Sequence, residues 1–487
     1  MFRLTKKLSL KSNKLSISFY EICILFLIPF LFLFTLRIIG FDGLYGQDSY
    51  EYLRYLKVIK EYIGTGAHPK SFYWPVLYPF IGALLSFLIE DNIFSLTLLS
   101  CISFFITCLY TLKTIRILYP KTQVSFLYVL IFCSFCPFLL KMGLIVMSDA
   151  MAITFVVLSF YFFFLFYYNN TSLIPVFIFI TCAFMTRYPS IFVTLPILFF
   201  CSYLVIRRKK WKPFIISLFF SFVITIPFII FQRDELFKAT SNSFLNSWSI
   251  QNFFSRSHVT VDGVNTYLFP NIVYVFYVFF HPGFIFIGVL LSFFAIKNHK
   301  LLLSFPQKLL GISIAIYILF LAGIPFQNPR ILALTFPLVL LLFFPFFSNF
   351  INTKSIKKFI FPISITAIIL QFFLWKKTFN SILIRSNIEK EITVMLKPYQ
   401  GNTLYSFDLD IAIQGRGLNF EYRNMFISLY KDIHKKDLIL FDPLRYSYQW
   451  KNKNPMLNWE FIHSNYELKV LETNPNGWKL YEVNSKK

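Results

Sequence analysis

The sequence predicts an all-α polytopic membrane protein of about eleven transmembrane helices, followed by a small water-exposed α/β domain. Three observations predict it. Of 487 residues, 56% are hydrophobic and only 14% charged, with a mean hydropathy of +0.62, far from the balance of a soluble globular chain. The 66 Phe and 28 Tyr exceed what a globular core can absorb, whereas helices in lipid are apolar all round. Finally, 47 Lys and Arg outnumber 23 Asp and Glu for a net charge of +24, yet the basic residues gather in short clusters between apolar runs, as at Arg207 to Lys210 and Lys354 to Lys358. Loops retained in the cytoplasm have that pattern, so the charge reports orientation rather than nucleic-acid binding. A soluble enzyme is excluded.

The first apolar run, Tyr20 to Gly40, is long enough to span and lacks a small-residue cleavage site, so it reads as an anchor. Arg3, Lys6, Lys7, Lys11 and Lys14 precede it and place the N-terminus in the cytoplasm. Further spans follow at residues 93–112, 124–146, 150–168, 173–186, 189–206, 213–231, 281–296, 309–325, 331–349 and 359–375. This assignment puts the clusters Lys113/Arg116/Lys121, Arg207 to Lys212, Lys297/Lys300/Lys308 and Lys354/Lys357/Lys358 all inside. Trp74 to Ile89 is short, contains Pro75 and Pro79 and ends at Glu90-Asp91; counted as a span it would invert everything after it. It reads as a re-entrant or surface-lying segment on the outer side, and Asn271 to Phe280 as an outer interfacial helix.

Of the 11 acids in the first 375 residues, all but Glu21 then fall outside: Asp42, Asp48, Glu51, Glu61, Glu90, Asp91, Asp149, Asp234, Glu235 and Asp262. Acidic residues scarcely influence orientation, so this one-sidedness fits a site on the outer face. All seven Cys lie in or beside apolar segments, which excludes a disulfide framework; Cys133-x-x-Cys136 has redox spacing but sits inside an apolar run and reads as packing. The chain divides into a membrane domain at 1–375 and an extracytoplasmic domain at 376–487, where 12 acids and 17 Lys or Arg accompany mixed polar and apolar residues. Thr403 to Phe407 and Leu438 to Phe441 read as strands, Glu421 to His434 as a helix, and Glu467 to Val483 as a hairpin turning at Asn474-Pro-Asn-Gly.

Candidate chemistry begins in the first outer loop. Asp48, with Glu51 three residues on, has capping-box spacing at the head of an amphipathic helix whose apolar face carries Leu53, Leu56, Ile59 and Ile63. Asp48 reads as a cap or as a catalytic base or metal ligand. Asp149, where the fourth span begins, presents the same pair of readings. Two outer-face carboxylates from distant segments suit general-base catalysis or a divalent cation held by Asp48 and Asp149. Arg187 and Arg330, each at the outer edge of a span, read as phosphate forks or as snorkelling anchors. Lys141 is a further phosphate candidate, and Tyr50, Glu51 and His68 are candidates for acceptor or loop support.

In order along the chain stand an outer-loop Asp opening a juxtamembrane helix, Pro75-Val-Leu-Tyr-Pro79, Ser148-Asp149, Thr186-Arg-Tyr-Pro189 and a late Pro329-Arg-Ile-Leu span. This order resembles the GT-C glycosyltransferases, in the branch of protein O-mannosyltransferases and lipid A aminoarabinose transferases, over nearly the whole chain. The resemblance implies a membrane enzyme, a hexosyl- or pentosyltransferase, moving a sugar from a polyprenyl-phosphate donor to a glycan, lipid or protein acceptor on the outer face of the inner (plasma) membrane. It implies Asp48 as the base, Asp149 as its assistant or a cation holder, and Arg187 and Arg330 as partners of the departing lipid phosphate. An Asp-Glu pair is absent beside Asp48, and a His-Pro-Pro run appears only as His68-Pro69-Lys70, so the resemblance leaves the acceptor class open. A polytopic transporter or lipid flippase is the alternative; it would hold ionisable groups near mid-membrane, where none is found. The expectation is that residues 48, 149, 187 and 330 share one outer cavity.

Overall fold

The computed structural model describes residues 17–67, 72, 74–120, 122–209, 211–236, 247–260, 263–352, 358–448 and 450–487. His68-Pro69-Lys70, Asp262, the basic residues Arg3, Lys6, Lys7, Lys11 and Lys14, and Lys121, Lys210, Lys354 and Lys357 lie outside the described residues. The chain forms two compact units, one of Met1–Gly43, Tyr55–Phe254 and Phe269–Phe379, the other of Leu44–Arg54, Ser255–Leu268 and Asn380–Lys487.

The first unit is helical. Among the described residues, 8 helices are long and apolar enough to cross a membrane, from Phe19–Ile38 to Ile360–Tyr399. The run expected at 124–146 is one bent pair, Ser125–Ser134 and Pro137–Gly143, with a bend of 69°. Its causes are local: Leu130–Ser134 is wound as a π-helix, and Pro137 has no N–H to continue the ladder and pushes Cys136 into the extended region. The Cys133-x-x-Cys136 spacing lands in this break, where both thiols are buried.

The expected spans at 173–186 and 281–296 are short helices, Ile174–Thr186 and Gly288–Lys297. At 13 and 10 residues they reach about 20 and 15 Å, less than the roughly 30 Å hydrocarbon layer. With them each of the eleven predicted segments contains helix, and the apolar helices make this a multi-pass membrane protein. Leu77–Ile89 is also a 13-residue helix, the length expected of a segment that does not span. The segment at 271–280 is two single-turn helices, Asn271–Tyr274 and Tyr277–Phe280, rather than one.

Helix Asp149–Asn169 is central, packed against Asn92–Leu118 and Ile174–Thr186. The Thr107 and Thr154 hydroxyls bond across that seam at 2.9 Å, as polar groups in an apolar interior must. Peripheral helices keep large apolar side chains outward, as Ile215, Phe219 and Phe222 do, a surface suited to lipid rather than water.

The second unit is built on a five-stranded sheet of β3 (Thr403–Ser406), β4 (Glu421–Asn424), β5 (Leu438–Phe441), β6 (Tyr466–Thr473) and β7 (Lys479–Lys486), in the order β4-β3-β5-β7-β6. A separate hairpin pairs β1 (Ser257–Thr260) with β2 (Gly263–Thr266). Strands β4, β3 and β5 are parallel, and β7 and β6 add antiparallel. The apolar run of β5 is buried throughout, the mark of a central strand covered on both faces. The hairpin turns at Asn474 to Gly477 as expected; Gly477 sits at φ +93°, a region that suits glycine.

The helix expected at Glu421 to His434 is absent. Residues 421–424 pair in register with 403–406 instead, Thr403 opposite Glu421 and Ser406 opposite Asn424. Beyond them the backbone finds its partners in side chains. Asn424 accepts from the Phe426 N–H at 2.8 Å, and Asn458 accepts from Tyr430 N–H while donating to the Met425 and Ser428 carbonyls, all at 2.8 Å. One buried Asn thus replaces the hydrogen bonds a helix would have supplied.

Candidate active site

In the first unit the local sequence sets four charged side chains at helix ends. Ser148 occupies the N-cap of Asp149–Asn169, which makes Asp149 the first helical residue, where the helix dipole favours a carboxylate. Helix Ile174–Thr186 stops at Arg187, which is extended at φ −151° and ψ 118°, two residues before Pro189. Asn328 caps the turn Pro329–Leu332 by accepting from Arg330 N–H at 3.0 Å, with Pro329 preset for the first position. Lys141 lies in the last turn of Pro137–Gly143.

These ends converge on Asp149, only 3% exposed. Arg187 donates from Nη1 to Oδ1, and Arg330 Nε stands 2.8 Å from Oδ2, an ion pair whose geometry is not that of a linear hydrogen bond. Half-buried Lys141 is near enough to feel both Arg330 and Asp149. Buried Tyr317 lies within electrostatic range of Arg187 and Asp149, and its hydroxyl donates to the Ile331 carbonyl at 3.0 Å, bracing the turn that carries Arg330. Asp149 therefore does not act as a simple helix cap; it is an anchor for two guanidinium groups.

A buried carboxylate between two arginines is kept ionised and immobile, and it holds both forks in place. Each guanidinium carries five N–H donors in a fixed plane, the fork geometry that engages carboxylate and phosphate oxygens. Both Asp149 oxygens face guanidinium groups, whose charge opposes a divalent cation beside them. Among the described residues no group of three or more His, Cys, Asp or Glu is placed to hold a metal.

Asp48 belongs to the second unit, half-buried in the first turn of helix Gly46–Thr65. The helix starts three residues earlier than the capping-box spacing suggested, so Asp48 lies inside it, and Glu51 pairs with Arg54 at 2.8 Å rather than closing a box. Tyr50 is buried and donates its hydroxyl to Glu389. Leu53, Leu56 and Ile59 form the buried face, joined by Tyr52 and Tyr55, whereas Ile63 is exposed.

Sequence reasoning missed Gln232. Buried at a non-helical break in Trp211–Leu236, it donates to the Phe72 and Trp74 carbonyls at 3.1 and 2.8 Å and so ties those two residues to the end of that helix. A lone Gln near the end of an apolar run was the available signal.

Residues 73–231 match the family of dolichyl-phosphate-mannose-protein mannosyltransferases. Two solved structures are similar over nearly the full length. ArnT from Cupriavidus metallidurans in the apo state aligns with a TM-score of 0.59 at 11% identity, covering 96% of this chain and 97% of that one. The same protein bound to undecaprenyl phosphate aligns at 0.58 and 12%, with the same coverage. The chain has a GT-C fold. At these identities the likeness to ArnT is one of fold. No curated protein sequence matches the chain.

Proposed function

We propose that this protein is an integral membrane glycosyltransferase that takes a sugar from a polyprenyl-phosphate carrier and passes it to an envelope glycan, lipid or protein at the outer face of the cell membrane. The observation that carries the reading is Asp149 clasped by Arg187 and Arg330 in a GT-C fold. The similar ArnT structure bound to undecaprenyl phosphate supports a carrier of that class. In this reading the N-terminus is cytoplasmic and residues 376–487 are extracytoplasmic, in keeping with the basic loops.

Transfer breaks the bond between the sugar's anomeric carbon and a phosphate oxygen, so negative charge grows on the departing lipid phosphate. Arg187, Arg330 and Lys141 receive that charge. Because Asp149 fixes the guanidiniums before substrate arrives, their stabilisation needs no reorganisation during the step. Asp48 accepts the acceptor hydroxyl's proton as the new carbon–oxygen bond forms. Asp149, held by two cations, acts through the arginines as a positioning residue. A transporter would carry its ionised groups along the spans, whereas these sit at helix ends.

The test uses full-length protein in nanodiscs supplied with undecaprenyl-phosphate mannose or undecaprenyl-phosphate aminoarabinose, a hexose and a pentose. Release of undecaprenyl phosphate with either is the expected result, and the preferred sugar decides between hexosyl and pentosyl transfer. Native mass spectrometry should also show undecaprenyl phosphate retained by the wild type and lost from the Arg187→Ala/Arg330→Ala double variant. Equal retention by both proteins would overturn the assignment of the arginines.

A further inference from the structure

The second unit contains a buried ionic network that the proposed reaction does not use. Glu389, 1% exposed, accepts from Arg385 Nε at 2.8 Å and lies 3.8 Å from Arg416 Nη2. Arg385 continues to Asp408, with Nη1 to Oδ2 at 2.7 Å, Nη2 to Oδ1 at 3.2 Å and Nη2 to the Asp408 carbonyl at 2.9 Å. Tyr446 donates to the same Asp408 Oδ2 at 2.8 Å, and burial and then the Asp408 charge raise its pKa, so it remains a proton donor. Asp408 has φ +71°, a left-handed conformation unusual outside glycine, held here by those contacts.

The network sits where this sheet type ordinarily receives ligands. Strand β3 has parallel neighbours on both sides, β4 and β5, and Asp408 follows its carboxyl end while Tyr446 lies beyond that of β5. That crevice is the topological switch point of an open α/β sheet. Here the chain's own Arg385 fills it.

What the network grips is Tyr50. Its hydroxyl donates to Glu389, the Arg416 guanidinium stands 5.6 Å from its ring centroid, and Gly415 packs so close that an added Cβ would fall 2.4 Å from Tyr50 Cδ1. Tyr50 is thus held at its tip, face and edge in the first turns of the helix that carries Asp48 two residues earlier. A buried ion cluster seldom adds stability over an apolar core of equal volume, and fixing one geometry is the other use it can serve.

We infer that Glu389, with Arg385 and Asp408, is a positioning network that sets the first turn of helix Gly46–Thr65, and with it Asp48, through the Tyr50 hydroxyl. The inference rests on the proposed role of Asp48. It is tested with full-length Tyr50→Phe, which loses one hydroxyl, and with Gly415→Ala, which crowds the ring and leaves every charge in place. Amide hydrogen exchange over residues 46–54 should quicken about tenfold in both, the effect of losing one charge-assisted hydrogen bond. In sugar transfer kcat should fall by about ten- to a hundredfold, with the donor KM within about twofold of wild type. Glu389→Gln, which keeps an acceptor for Tyr50 but drops the charge, should fall between. Unchanged exchange at 46–54 would overturn the inference, as would a loss of kcat matched by an equal rise in donor KM and a lower melting midpoint. If the wild type transfers no sugar, the glycosyltransferase reading fails by itself, and the exchange measurement still decides whether the network holds the helix.

Discussion

Two carboxylates in this chain, Asp149 in the first unit and Glu389 in the second, are each nearly sealed from solvent and each face two arginines. They are completed differently. Around Asp149 the described contacts gather Arg187, Arg330 and Lys141 from segments far apart in the chain, cations about one carboxylate. Around Glu389 a second carboxylate, Asp408, and two tyrosine hydroxyls join Arg385 and Arg416, and the signs are matched. The first arrangement leaves a net positive charge, and the second balances its charge internally. In the proposed reading one motif serves substrate recognition in the first place and rigidity in the second, and the surrounding charge decides which.

The sharpest way to break the comparison is to remove an arginine from each cluster. Arg187→Ala or Arg330→Ala should cut kcat for release of undecaprenyl phosphate by about a hundred- to a thousandfold, the usual loss of one preorganised charge-stabilising donor. Arg385→Ala instead leaves Glu389 and Asp408 buried without their shared cation and should cost about 3–5 kcal/mol of stability. Thermal melting of each variant beside its transfer rate separates the two. If Arg385→Ala lowered the rate as much as Arg330→Ala with no change in melting, the division of labour would be wrong.

A smaller effect sharpens the first half. Arg187→Lys and Arg330→Lys keep a positive charge but lose the planar fork that bonds a carboxylate and a phosphate together. Each should lower kcat/KM by about tenfold, well short of the alanine variants. Equal losses for Lys and Ala would mean that geometry rather than charge carries the phosphate contact.

Much of this was legible in the sequence because the membrane imposes long-period rules. The apolar runs appear as helices, and Asp149, Arg187 and Arg330 stood out as charges at span ends. Local spacing misled where side chains substitute for backbone partners. Phe426, Leu429, Tyr430 and Ile433 mimic a helical face after 421, yet residues 421–424 pair with 403–406 as a strand and Asn458 bonds the backbone of the stretch that follows. Asp48 with Glu51 imitated a capping box because a helix starting at Gly46 has the same composition. Arg385 and Glu389 were readable as an i,i+4 pair, but Tyr50 and Glu389 stand 339 residues apart, and no spacing rule reaches that far.

The smallest expected effect concerns pH in the second unit, where half-buried Asp410 has no cation among its described partners. Asp410 receives one hydrogen bond from Asn424 Nδ2 at 2.7 Å, and burial raises its pKa above that of an exposed aspartate despite that bond, with the nearby Asp408 charge adding to the rise. Its proton is held more tightly in the folded chain than in the unfolded one, so folding takes up a proton as pH enters the gap between the two values. The stability this gives is complete below the unfolded aspartate's range and is lost as pH rises through the folded value. Melting midpoints across the mildly acidic range should therefore show a gain on acidification that Asp410→Asn, already neutral and able to keep a bond to Asn424, removes. Arg385→Lys, which retains a partner for Glu389 and Asp408, should leave that gain in place. A pH profile identical in wild type and Asp410→Asn would assign the acid response to other carboxyls, and the contrast with the cation-matched Glu389 would lose its third member.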